Sequence, residues 1–307
     1  MIGAARRCKR CAGSLGAADR FCGGCGAPVA EVRTICVPQP GRDRATIAGV
    51  ALATDRGLQH ATNADAAVAG IIAGSDGGGP MAVAAAICDG VSTSGDPAGA
   101  AAAASTAGAQ ATLAALAAAR SGRSAVIAGL TEAAAAAAGM CTTQFNAPSC
   151  TYTTAAVVPG ADGTVDITVG NVGDSRVYWL PDDGAARLLT VDDSVAQELI
   201  EGGWPPDSEP VQAGAHTLTR WLGADADPTP WSGRAVQTLT VSGPGRLVLC
   251  TDGLWNYLPH PDDIARICAT SGPAEAAGGL IEHALQAGGH DNITVAVIPI
   301  GDANEFG

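Results

Sequence analysis

From residue 47 onward, short apolar runs alternate with clusters of Gly, Pro, Asp and Asn. Runs of strand length occupy 47–54, 66–73, 82–88, 153–159, 164–170, 175–180, 235–241, 246–251 and 292–299. They are built from Val, Ile, Leu, Thr and Ala and are bounded by turn residues. Helical patterns fill about 97–120, 123–140, 193–202, 261–270 and 274–287. Helices grouped in pairs between runs of strands predict an α+β domain with helices layered on sheets. Residues 98–119 are long enough to cross a bilayer but hold only two leucines in an Ala-rich background. Ala favours helix and offers little apolar area for insertion, so this stretch and the similar one at 124–139 are expected to pack as a soluble pair.

Before residue 47 the character changes. Residues 28–46 contain three prolines and no clear periodicity, which reads as a linker. Residues 1–27 carry Cys8, Cys11, Cys22 and Cys25 as two CxxC pairs. Each pair can present two thiolates, and four complete a closed tetrahedral Zn²⁺ site of structural type. Phe21 is one of the few apolar side chains available to such a ribbon. Its size leaves the metal to supply the folding free energy. The rival reading, two disulfides, fits poorly with the cytoplasmic location expected from an N-terminus without an apolar signal core. The other six cysteines are scattered and read as small buried apolar residues.

Charge separates the same two regions. The 307-residue chain has a formal charge of -13, yet residues 1–46 hold eight Lys or Arg against three Asp or Glu. A basic head on an acidic body argues against nucleic acid as the main partner of the body. With 47% hydrophobic residues, that body can bury a sizeable core.

Three aspartates, Asp89, Asp252 and Asp291, each adjoin a strand-like run. Carboxylates at strand ends can share a cleft, and oxygen ligands suit Mg²⁺ and Mn²⁺. Asp-Gly is also a strong turn dipeptide, so for either Asp-Gly alone a plain turn is an equally physical reading.

The order of the surrounding strings adds specificity: TDRGLQHATNADA (54–66), CDG (88–90), TYTT (151–154), GNVGDSRVY (170–178), LTVDDS (189–194), LTRWLG (218–223), LVLCTDGLW (247–255) and GGHDNITV (288–295). Over roughly residues 46–300 this succession resembles the metal-dependent serine/threonine protein phosphatases of the PP2C type (PPM), in their bacterial form. The resemblance implies an α-β-β-α sandwich, two antiparallel sheets flanked by helices, over residues 47–300, with residues 301–307 as a tail. It further implies hydrolysis of phosphoserine and phosphothreonine by a hydroxide bridging two Mn²⁺ or Mg²⁺ ions. Asp89 would bridge the ions, the Gly90 carbonyl would contribute directly or through water, Asp252 and Asp291 would complete one ion, and Asp65 would orient water from behind. Where the family places a phosphate-gripping arginine this chain has His60, which offers one donor in place of a guanidinium fork. Substrate grip is therefore expected to be weaker. The alternative is a catalytically weak or inactive phosphoprotein-binding module.

Other motif residues have structural readings. Asp174 reads as fixing a turn. Asp192 and Asp193 read as capping the helix after Ser194. Ser149 stands where bacterial members offer an Asp to a third ion, so a third ion is not expected. Residues 195–217 match the family's variable flap, expected to hold substrate selectivity. Strand alternation places Cys250 on the face of Asp252; its main reading is a small buried apolar residue, and a subsidiary hypothesis is that its oxidation or alkylation would impair metal binding. Phosphoproteins are the implied substrates, and the ribbon is expected to dock a protein partner or position the enzyme; no membrane contact is expected.

Overall fold

The computed structural model describes residues 7–8, 10–16, 22–26, 31–37, 41–73, 80–141, 146–160, 163–227, 229–269 and 271–301. Its strands are β1 (Glu31–Val37), β2 (Asp43–Ile47), β3 (Val50–Asp55), β4 (Ala66–Ala73), β5 (Pro80–Cys88), β6 (Ser149–Cys150), β7 (Tyr152–Pro159), β8 (Thr164–Val172), β9 (Arg176–Pro181), β10 (Arg187–Leu188), β11 (Leu222–Gly223), β12 (Val236–Ser242), β13 (Gly245–Cys250) and β14 (Ile293–Ile300). Its helices are α1 (Pro97–Ala117), α2 (Gly122–Gly139), α3 (Val195–Glu201), α4 (Glu209–Ala213), α5 (Asp252–Trp255), α6 (Pro261–Cys268) and α7 (Pro273–Ala287). One antiparallel sheet runs β1-β4-β5-β7-β8-β12 and the other β10-β9-β13-β14-β3-β2.

Strand alternation sorts the apolar residues into three layers. Val83, Ala85 and Ile87 of β5 meet Leu247 and Leu249 of β13 between the sheets. The alternate residues of β5, Ala82, Ala84, Ala86 and Cys88, face Ala100, Ala104, Leu113, Val126 and Leu130 of α1 and α2. On the far side Val248 and Cys250 pack with Leu280, Ile281 and Ala284 of α7. The order helix, sheet, sheet, helix matches the α-β-β-α sandwich implied by the resemblance. The Ala-rich segments do form a packed helical hairpin, with Asp96 and Ser121 capping their N-termini. Among the described residues no helix is long and apolar enough to cross a membrane.

Three sequence expectations need correction. The segment 28–46, read as linker, contributes β1, paired with β4, and β2, paired with β3. The outer face of β1 is exposed, so it carries none of the burial pattern that marks an inner strand. The run 47–54 is two strands, because Ala48 and Gly49 take positive φ (45° and 81°) and turn the chain back on itself. Finally, β13 ends at Cys250 and Thr251 begins a helical turn, so strand alternation does not carry through to Asp252. Cys250 is fully buried among Tyr178, Trp255 and Ile264, and burial pushes its thiol well up. A thiol in that state is a poor nucleophile and does not act as a sensor of the cleft.

Candidate metal centre

Register brings one end of each sheet together. Ala66, at the start of β4, pairs with Cys88 at the end of β5, while Ile293, at the start of β14, pairs with Asp55 at the end of β3. Asp65 and Asp89 therefore leave the first sheet side by side. Asp252 follows β13, and Asp291 precedes β14, its direct neighbour. The turn between β8 and β9 adds Asp174.

These carboxylates act on one another. Asp89 is held well above the usual carboxylate range, first by burial and then by the charges of Asp65, Asp252, Asp174 and Asp291. Burial raises Asp65 to about 7 even though Thr251 donates its hydroxyl to Oδ2 at 2.9 Å. Asp174, 5% exposed, is raised to about 8 by burial and then by Asp252. Asp291 is raised by burial and then by Asp252. Among the described residues neither Lys nor Arg pairs with Asp89, Asp174, Asp252 or Asp291; the basic groups that reach them are imidazoles, His60 Nε2 at 3.2 Å from Asp291 Oδ1 and His216 Nδ1 at 3.3 Å from Asp252 Oδ2. Asp252 Oδ1 is buried with no hydrogen-bond partner. Gathered carboxylates without cationic side chains are costly. An all-oxygen donor set of this kind fits divalent Mg²⁺ or Mn²⁺.

Of the residues singled out in the sequence, His60, Asp65, Asp89, Gly90, Asp252 and Asp291 all lie at this edge. Arg56 is tied down, its Nη1 donating to the His60 carbonyl at 2.8 Å. Two structural readings are corrected. Asp174 points into the acidic group rather than fixing a turn, with its ligand atom, that of His216 and that of Asp252 all within 4.8 Å of one another. Asp192 and Asp193 do not cap α3, because Ser194 does so through Gln197 N at 3.2 Å. Instead Asp192 takes both Nε and Nη2 of Arg176, and Asp193 accepts from Gly173 N and pairs with Arg220 at 3.4 Å. Arg176 in turn lies over Trp255, 3.8 Å from the ring centroid. His216 had no sequence signal, being a lone histidine in a variable segment. Ser149 turns its hydroxyl to the Ala147 carbonyl at 2.9 Å.

The N-terminal cysteines converge as well. Cys8 and Cys25 sulfurs are 3.6 Å apart and Cys11 and Cys22 sulfurs 3.4 Å, near the roughly 3.8 Å edge of a tetrahedron with Zn–S of about 2.3 Å. The Arg10 backbone N–H donates to Cys8 Sγ and is the largest influence holding that thiol down at about 6, while Cys11 is raised to about 12, as when one proton is shared among neighbouring sulfurs. The group fits a structural Zn²⁺; Phe21 lies outside the described residues. Chelation is expected to remove one zinc per chain and to unfold residues 7–8, 10–16 and 22–26 while β14 and its neighbours keep their amide protection. Hydrogen exchange before and after chelation measures this, and protected amides in those residues of the stripped protein would refute it.

No family model matches the chain. It is 35% identical over 136 residues to the serine/threonine protein phosphatase PstP of Mycobacterium tuberculosis, a match covering 43% of this chain and 24% of that protein. The chain thus spans about a quarter of the length of that relative. Among solved structures, the PPM Ser-Thr phosphatase MsPP of Mycobacterium smegmatis, in complex with cacodylate, superposes with a TM-score of 0.57 at 26% identity, covering 84% of this chain and 100% of that one. The catalytic domain of PstP, in complex with two manganese ions, does so with a TM-score of 0.53 at 26% identity, covering 82% and 98%. In fold and in sequence, the chain is similar to the bacterial PP2C-type (PPM) serine/threonine protein phosphatases.

Proposed function

We propose that this chain hydrolyses phosphoserine and phosphothreonine in proteins, acting in the cytoplasm, where the ribbon thiols stay reduced for zinc. The observation that carries the reading is the unneutralised acidic cleft. Asp89, the Gly90 carbonyl, Asp252 and Asp291 would hold two Mn²⁺ or Mg²⁺ ions, as the two manganese ions in the related PstP domain support. Such ions, when bound, activate water and neutralise phosphate oxygens. Asp65, which accepts the Thr251 hydroxyl, would orient a water from behind the cleft. His60, half exposed with its Nε2 3.2 Å from Asp291 Oδ1, would donate to an incoming phosphate. The ribbon, with its basic surroundings, is assigned the docking of a protein partner.

Turnover of p-nitrophenyl phosphate with Mn²⁺ tests the reading and separates it from a module that only binds phosphoproteins. Wild type is expected to exceed the Asp89→Ala, Asp252→Ala double variant by about 10³-fold or more; equal rates would sink the enzyme assignment. A second expectation concerns His60. Replacing its single donor by a guanidinium fork in His60→Arg is expected to lower KM for a phosphothreonine peptide about tenfold with little change in kcat. An unchanged or raised KM would remove His60 from the phosphate site.

A further inference from the structure

The segment after α4 carries one imidazole into the cleft. The His216 ring stacks on Trp255, with centroids 5.7 Å apart and planes within 12°. Trp255 is itself fixed, since its Nε1 donates to the Asp174 carbonyl at 2.9 Å and Arg176 lies over its ring. The side chain of His216 is otherwise 56% exposed, so burial does not explain its position. What it approaches is Asp252 Oδ2 and the Asp174 carboxylate. Among the described residues, that nine-tenths buried carboxylate accepts no hydrogen bond from any other residue. Three segments distant in sequence thus aim two carboxylates and one imidazole at a common point.

The geometry points to a separate cation site made by Asp174, His216 and Asp252, taking a divalent transition ion such as Mn²⁺ or Zn²⁺ beside the pair of cleft ions. Imidazole in the donor set favours such ions over Mg²⁺, which prefers oxygen and water. The site does not use Ser149, whose hydroxyl is committed elsewhere. An ion there ties the end of the 195–217 segment to the β8–β9 turn and to α5. This inference rests on the metal-dependent reading of the cleft only in sharing Asp252 with it.

Pulsed electron paramagnetic resonance of the full chain loaded with Mn²⁺ tests it, together with equilibrium dialysis. Wild type is expected to show the ¹⁴N coupling of a coordinated imidazole. His216→Ala and Asp174→Asn are each expected to lose that coupling and one bound Mn²⁺ per chain, while His60→Ala keeps both. His216 is exposed, so its removal leaves the core intact. No ¹⁴N coupling in wild type, or coupling that survives His216→Ala, overturns the inference. The magnetic coupling between the two cleft ions is a separate readout: it should persist in His216→Ala and vanish in Asp89→Ala. Its absence from wild type would defeat the two-ion reading without touching the ¹⁴N result.

Discussion

Asp89→Asn is expected to make the metal-free chain more stable and the loaded chain nearly inactive. In the folded chain Asp89 is raised well above its unfolded value of 3.8, with Asp65 at about 7 and Asp174 at about 8. A carboxyl raised in the folded state binds more protons there than in the unfolded chain. Stability is therefore full below about pH 4 and drains away as pH rises through about 8. Asn keeps the shape and removes the charge. Without metal, the wild-type Tm should fall between pH 5 and pH 8, and the fall should be smaller in Asp89→Asn. At pH 8 the variant should melt higher, by on the order of 5 °C. Adding Mn²⁺ should raise the wild-type Tm and barely move the variant. Turnover should drop by about 10³-fold, the scale of losing a preorganised electrostatic group. Calorimetry at the two pH values, with and without chelator, decides it; a metal-free variant less stable than wild type at pH 8 would show that the carboxylate is paired after all.

Gly253→Ala is expected to damage folding and catalysis together. A Cβ on Gly253 would stand 2.0 Å from the Asn292 carbonyl oxygen, and one on Gly57, which has φ +75°, would stand 2.1 Å from that of Asp291. The Asp291 turn is thus pressed between two glycines, and both obstacles are backbone. Asn292 fastens the same turn to the 56–64 loop, donating to the carbonyls of Arg56 and Thr62 and accepting from Ala64 N. The turn cannot yield without moving Asp291 away from Asp252. Overpacking of this kind costs about 1–3 kcal/mol, and displacing a reacting geometry by about 1 Å costs about 10² in rate. A Gly253→Ala protein with wild-type Tm and kcat would mean that the turn relaxes freely.

This clamp also shows where the sequence was readable. Asp252-Gly253 was open to a plain turn reading, yet Gly253 lies inside a helical turn and is needed for close approach of another backbone. Inner strands such as β4, β13 and β14 announced themselves by continuous apolar runs, because both faces are covered. β1 and the short β10 did not, being exposed at the sheet edges. The cleft carboxylates Asp89, Asp252 and Asp291 were visible as aspartates beside strand-like runs. Asp174 and His216 were not, since only the crossing from β8 to β9 and the return of the flap bring residues 42 positions apart to one place. Asp192 was misread as a cap because Ser194 offers the same local chemistry, and the deciding partner, Arg176, is remote in sequence.

The cleft lies where the two sheets come together at one edge. Asp65 and Asp89 belong to the first sheet, Asp252 and Asp291 to the second. Ions held by them, as proposed, would act as a rivet through the open edge of the sandwich, and their binding free energy would become cohesion between the layers. Metal supply would then govern how long the folded chain lasts as well as how fast the proposed reaction runs, and resistance to a protease, titrated against Mn²⁺, would register the first of these even in a variant with no turnover.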